Sequence, residues 1–309
     1  MAKVIVFGSL NMDLSVAVKR MPHKGETITS SGMLTTPGGK GANQAVMCSR
    51  MGTKTHMIGK VGQDAFGREL VSSLKRQGVS AKYVTVTGDA ATGTAIILRE
   101  PRDNRIIVEP GANYMCCLSD VTTALHELGN RGDFFLTQLE CDYDVTMQAI
   151  VSAHEMGIHT VCNAAPAMPL TDEAYAALDL LCINETEAEA LVGFSVDDDD
   201  ACMRALEFFG EKGVNSTVIT LGESGSVTMI GDMLVKIPSY DVDMVDTTGA
   251  GDAYLGELVA SLVMGGDIIE SMAYATAASA LAVCKLGAQE AQPTRSEVEE
   301  FVAKEGLNA

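Results

Sequence analysis

Short apolar runs alternate with helix-like segments along most of this chain, and no other feature restricts the fold as much. Lys3 to Gly8, Thr55 to Val61, Asp133 to Leu139, His159 to Asn163, Leu178 to Asn184 and Thr217 to Leu221 read as buried strands. Gly41 to Met51, Gly67 to Gln77, Asp144 to Met156, Ala201 to Lys212, Gly251 to Met264 and Asp267 to Cys284 read as helices. Such alternation predicts an α/β fold, a mostly parallel sheet with helices on both faces. With 309 residues, 47% of them hydrophobic, the chain can build one large α/β domain or two smaller ones.

Two regions break the alternation. Asp13 to Thr36 and Thr92 to Val108 show polar alternation and turns, which suit a small, partly exposed sheet. The expectation is a small β-sheet lid, residues 13–36 and 92–108, projecting over the C-terminal edge of the main sheet. Residues 1–12, 37–91 and 109–309 would form the main α/β domain. An exposed sheet face invites a partner, so a homodimer through the lids is expected.

Charge and cysteine usage narrow the function. A formal net charge of −19 argues against sequence-independent nucleic-acid binding and against an anionic membrane surface. The eight cysteines are scattered without a CxxC pair, and the five histidines form no HxxxH or HExxH, so neither a zinc site nor a thioredoxin-type site is expected. Several cysteines lie in apolar runs and read as reduced core residues. The N-terminal apolar run is too short for a signal peptide, and no uninterrupted apolar run is long enough for a transmembrane helix. A cytoplasmic protein is expected. The acidic run Asp197 to Asp200 reads as a solvated helix start.

Asp246-Thr247-Thr248-Gly249-Ala250-Gly251-Asp252 places a carboxylate after a Gly/Ala-rich turn and at the head of an apolar helix. The first turn of that helix offers unpaired N–H groups and a positive dipole end to an anion. A carboxylate beside an anion hole suits phosphoryl transfer, with Asp252 taking the proton of an attacking hydroxyl. The plainer account is a tight turn with a dipole-favoured acid.

Five other polar clusters sit at predicted strand ends or strand-to-helix turns. Pro37 to Gln44 is Gly-rich and carries Lys40 and Asn43, which suits a polyhydroxylated ligand or a simple strand-to-helix turn. It is not a Walker A loop, because Gly41 follows Lys40. Asn11 and Asp13 fall after the first strand, where ligands collect in open α/β sheets, though an Asx-turn would also explain them. Glu140 ends another strand. Asn184 and Glu187 match a capping box, or hold Mg2+ or its waters. Thr220, Gly222 and Gly225 form a strand and Gly-rich turn that either lies against a nucleotide or is a plain hairpin.

Together these motifs resemble the ribokinase (PfkB-type) carbohydrate kinase family over nearly the whole chain. Gly38 to Ala45 looks like its first signature and Asp246 to Asp252 like its second. Asp89 to Ala95, Pro110-Gly111-Ala112-Asn113 and Asn184 to Glu189 extend the match. The resemblance implies a ribokinase-like fold and ATP-dependent phosphorylation of D-ribose at the 5-hydroxyl. It implies Asp252 as base, Gly249, Ala250 and Gly251 as anion hole, and Asn11, Asp13, Gly39, Lys40, Asn43 and Glu140 as ribose ligands. Asn184 and Glu187 would organise Mg2+ and the phosphates, with Thr220, Gly222 and Gly225 lining the ATP site.

The resemblance further implies a monovalent cation, K+, at Asp246 and Thr248, with Ala282 to Ala291 supplying other ligands and Gly287 the clearest match. Ala291 stands where family members commonly have Ser, so the site is expected to be weaker or completed by water. Tyr254 and Leu255 replace the frequent Phe and Asn, and Ala164 a usual Pro. Rival readings are a kinase of fructose, deoxyribose or adenosine on the same fold, and a catalytically silent sugar sensor. A dinucleotide-dependent oxidoreductase is rejected, because no GxGxxG follows the first strand.

Overall fold

The computed structural model describes residues 2–100 and 103–307. Residues 101 and 102 of the predicted lid, and residues 1, 308 and 309 of the predicted main domain, lie outside the described residues. The strands are β1 (Lys3–Phe7), β2 (Asn11–Ala17), β3 (Gly32–Gly38), β4 (Lys54–Gly62), β5 (Ser80–Thr87), β6 (Gly93–Glu100), β7 (Asp103–Glu109), β8 (Phe134–Gln138), β9 (His159–Asn163), β10 (Leu180–Asn184), β11 (Ser216–Thr220), β12 (Ser226–Ile230) and β13 (Met233–Ile237). The helices are α1 (Lys40–Arg50), α2 (Ala65–Arg76), α3 (Leu118–Leu128), α4 (Tyr143–Glu155), α5 (Asp172–Ala176), α6 (Glu185–Val192), α7 (Asp199–Glu211), α8 (Ala250–Val263), α9 (Ile268–Val283) and α10 (Arg295–Glu305). Each predicted strand and helix has its counterpart here.

The large sheet has nine strands in the order β13-β12-β11-β10-β9-β8-β1-β4-β5. Its pairs are parallel except β11–β12 and β12–β13 at one edge. Side-chain alternation along β1 divides the core. Ile5 and Phe7 face one apolar layer with residues of α3 to α7, and Val4 and Val6 face the other with residues of α1, α2, α8 and α9. All four are 0% exposed, as expected for a strand covered on both faces. Six cysteines are buried, and all eight are free thiols. Among the described residues no helix is long and apolar enough to cross a membrane.

A second, four-stranded sheet has the order β3-β2-β6-β7. Its strands come from the two segments that broke the alternation. It springs from the main sheet where β2 leaves the end of β1. The Asp198 carboxylate caps α7 by accepting the Ala201 N–H, so the acidic run is a helix start.

Helix α8 is apolar nearly all round and buried from Asp252 to Ser261. It packs against both α1 and α9. Gly256 permits the α1 contact, because a Cβ there would fall 2.4 Å from Met47 Cβ. That close approach brings the first turns of α1 and α8 side by side.

Candidate active site

Parallel strands put their C-terminal ends on one edge, and the polar strand-end residues meet there around a cavity of about 390 Å³. Asn11, Asp13, Gly39, Lys40, Asn43 and Glu140 all line it. So do Asn184, Glu187 and Thr220, and Thr248, Gly249, Gly251 and Asp252 from the turn before α8. Ala95, Ile97, Ile106 and Val108 of the smaller sheet form an apolar wall. Ile106 and Val108 are nonetheless 57% and 43% exposed, so this wall stands partly open in a single chain.

Asp252 is the third residue of α8, and its side chain is fixed from two sides. Its Oδ2 accepts from Asn43 Nδ2 at 2.9 Å, and its Oδ1 accepts from Gln44 Nε2 at 2.9 Å. Each amide is itself oriented. Gln44 Oε1 accepts from Gln138 Nε2 at 2.6 Å, and Asn43 Oδ1 accepts from Gln289 Nε2 at 3.1 Å. With their oxygens occupied, both amides can present only N–H groups to Asp252. Gly249 caps the helix at φ 78°, a conformation that favours glycine; the Ala250 N–H turns back to the Thr247 carbonyl at 3.2 Å, while Gly249, Gly251 and Asp252 of the same turn line the cavity.

The cavity holds more negative than positive charge. Burial and the carboxylates of Glu140, Asp252 and Glu290 push Asp13 up to about 7. Burial pulls the Lys40 ammonium down, but Asp252, Glu140 and Glu187 more than reverse this and leave it above its usual value. Burial also raises Glu187, against the opposing pull of the Asn184 N–H and of Lys40. Asn11 is held by Asn113, whose Nδ2 donates to Asn11 Oδ1 at 2.8 Å while its Oδ1 accepts the Leu10 N–H at 2.9 Å. Glu140 accepts the Ser9 hydroxyl at 2.5 Å.

Asn184 and Glu187 do form a capping box at the head of α6, with distances of 2.9 and 2.8 Å. Glu187 lines the cavity as well, so capping and ligand contact are compatible. Among the described residues no three His, Cys, Asp or Glu converge as a ready-made metal site. That donor set fits Mg2+ held mainly by phosphate oxygens and water, with Glu187 as an outer partner.

Not every residue singled out in the sequence lines this cavity. Gly222 and Gly225 do not. Gly225 instead closes its turn against β13, where a Cβ would fall 2.0 Å from the Ile237 carbonyl. Ala250 contributes backbone alone, as the first residue of α8. Asp246, Thr248 and Gly287 line a neighbouring cavity of about 190 Å³, but Ala282 is buried in α9 and its carbonyl accepts the Lys285 N–H. Burial would raise Asp246, but the Thr248 hydroxyl and N–H, the Gly287 N–H and the Arg99 guanidinium hold it below its usual value. Arg99, from the smaller sheet, lines this second cavity with a buried, unpartnered Nε. Asp13 and Glu290 line this cavity too, so its carboxylates outnumber its one guanidinium.

Sequence reasoning overlooked Gln44, Gln138, Gln289 and Arg99 as contributors. Gln44 was within the Gly-rich stretch, but nothing in one sequence marks its partners.

Comparisons with known proteins agree with this geometry. The profile of the pfkB family carbohydrate kinases matches residues 1–295. A ribokinase from Bacillus subtilis is 35% identical, covering 98% of this chain and 100% of that one. A deoxyribokinase from Salmonella typhimurium is 33% identical, covering 97% and 98%. The structure of Arabidopsis thaliana ribokinase complexed with ribose and ATP superposes with a TM-score of 0.88 at 28% identity, over 98% of this chain and 99% of that one.

Proposed function

The chain belongs to the pfkB family of carbohydrate kinases, and from that membership we propose that it phosphorylates the 5-hydroxyl of D-ribose with ATP. One observation carries the reading: Asp252 is held by two oriented amides beside the open first turn of α8, in a cavity shared with Asn11, Asp13, Lys40 and Glu140. The ribose and ATP of the similar plant structure support the substrate pair.

Asp13 accepts two sugar hydroxyls, with Asn11, Gly39, Asn43 and Glu140 around the ring. Asp252 takes the proton from the 5-hydroxyl as its oxygen bonds to the γ-phosphorus, and the bond from that phosphorus to the β–γ bridging oxygen breaks in line. The N–H groups of Gly249 and Gly251 stabilise the charge on the transferring group, Ala250 holds the turn through its N–H bond to the Thr247 carbonyl, and Lys40 adds a cation. Bound Mg2+ would neutralise phosphate charge, with Glu187 and Asn184 orienting its water shell. Thr220 borders the nucleotide; Gly222 and Gly225 shape the turn behind it. Closure of the smaller sheet excludes water and limits ATP hydrolysis.

Two finer points complete the reading. The outward apolar residues Met33, Ile96 and Ile107 of the smaller sheet, 58%, 41% and 63% exposed, favour a homodimer through these sheets. Light scattering of Ile107→Lys should then report a monomer. K+ is a weak activator, because Ala291 offers no hydroxyl to complete its shell and water must take that place.

The test is ADP release from Mg·ATP with D-ribose, 2-deoxyribose, fructose and adenosine, each in K+ and in Na+. Ribose should lead. Deoxyribose lacks a hydroxyl offered to a charged group, worth ~2 kcal/mol or about 30-fold in kcat/KM. Equal or better use of deoxyribose would move the assignment to that sugar, and no turnover with any acceptor would favour a silent sensor. A steep K+ requirement would overturn the weakening assigned to Ala291.

A further inference from the structure

A second cavity lies away from the proposed chemistry, among α8, α9 and α10. Its volume is about 310 Å³, within the range that takes a small organic molecule. Glu257 projects from α8 into its lining, five residues beyond Asp252 and so about 140° round the helix and about 7.5 Å along it. The two carboxylates therefore serve different faces of α8. Glu257 is only 4% exposed, and its Oε2 has no hydrogen-bond partner. A buried carboxylate oxygen left without a donor is costly and calls for a missing partner.

The surroundings specify that partner. Arg295 hydrogen-bonds Glu299, Nε to Oε1 at 2.7 Å, and although its charge still acts on Glu257, it leaves Glu257 Oε2 without a donor. Glu270 lies at the rim without an ion-pair partner among the described residues. Ser261 Oγ accepts the Ser271 hydroxyl at 2.9 Å. Met51 and Val298 give the cavity apolar wall. Among the described residues no three His, Cys, Asp or Glu converge here, and the cavity has room and apolar wall for a body larger than a bare ion.

We propose that this cavity binds a small organic ammonium ion, whose N–H groups meet the Glu257 carboxylate while a short hydrocarbon body lies against Met51 and Val298. The inference does not depend on the sugar assigned to the active site. Several charged groups act on Glu257. Burial pushes it up to about 8, Arg295 of α10 pulls it down and Glu299 of α10 pushes it up. The Cys48 thiol of α1, which donates to the Gly256 carbonyl at 3.3 Å, is kept neutral by burial and by Glu257. An ammonium favours the ionised carboxylate, so binding should strengthen as pH rises through that value.

The experiment is calorimetric titration of the whole protein with n-propylamine, n-propanol and propionate. Propylammonium should bind saturably at one site per chain and about 20-fold more tightly at about pH 8.5 than at about pH 6.5. Propanol and propionate should give no saturation. Glu257→Gln should weaken amine binding by at least about tenfold and leave sugar-dependent ADP release within about twofold. If that variant does not fold, the pH series and the two control ligands on the native chain decide. Equal binding of propionate, amine binding unchanged by pH, or unchanged affinity in Glu257→Gln would each overturn the proposal.

Discussion

Asp252 and Glu257 lie on the same buried helix and are 8% and 4% exposed, yet their surroundings are opposite. Asp252 receives an amide N–H on each oxygen, and each donor is locked by a further amide. Glu257 has an oxygen with no donor, and burial raises it to about 8. Similar depth thus produces two different groups. What separates them is the supply of oriented donors rather than distance from solvent.

The largest expected effect comes from breaking the first half of that pair. Asp252→Asn should lower kcat by about 10²–10⁴-fold while sugar affinity stays within a few-fold by calorimetry. Turnover near the native rate would remove Asp252 as base. Next is Glu257→Gln. A folded-state value near 8 against an ordinary 4.5 means the folded state binds the extra proton. Glu257 therefore contributes stability that is present below about pH 4.5 and lost as pH rises through about 8, on the order of a few kcal/mol. The variant should flatten the dependence of Tm on pH across that window, and an unchanged slope would assign the dependence elsewhere.

Asp13 is an intermediate case, buried among carboxylates and raised to about 7. If sugar hydroxyls donate to its ionised form, KM for the sugar should fall about tenfold between about pH 6 and about pH 8. A flat KM would show that protonated Asp13 serves equally well. The smallest change should follow Gln44→Leu, which removes one neutral donor from Asp252 and strands Gln138. A loss of one such hydrogen bond corresponds to ~1 kcal/mol, about fivefold in kcat, with KM little altered. A change confined to KM would argue against a positioning role.

Much of this was legible in the sequence because it is written locally. Apolar runs such as Val4 to Phe7 mark strands buried on both faces, and a carboxylate just after Gly249-Ala250-Gly251 marks a helix head. Elements with weaker local signals escaped notice. Strand β5, at the sheet edge, has no fully buried residue, and α10 has a single buried one. The amide relay was unreadable for another reason. Gln138 meets Gln44 across 94 positions, and Gln289 meets Asn43 across 246. Single neutral side chains that far apart carry no periodicity and no charge pattern. Arg99 was similarly silent, since only the smaller sheet's folding brings it beside Asp246. Conversely, Gly225 has a strong local signal whose cause is the turn itself, which presses on Ile237.

The relay from Gln138 through Gln44 to Asp252 has a direction. Each amide can be flipped without changing its shape, and a flip anywhere would turn an oxygen toward an oxygen further along. The acceptor-only carboxylate of Asp252 sets that direction, and the chain ends at β8, where Gln138 Oε1 is buried without a donor. A lineage that altered residue 138 would leave Gln44 Oε1 without its donor while every residue of the Asp246 to Asp252 signature stayed intact.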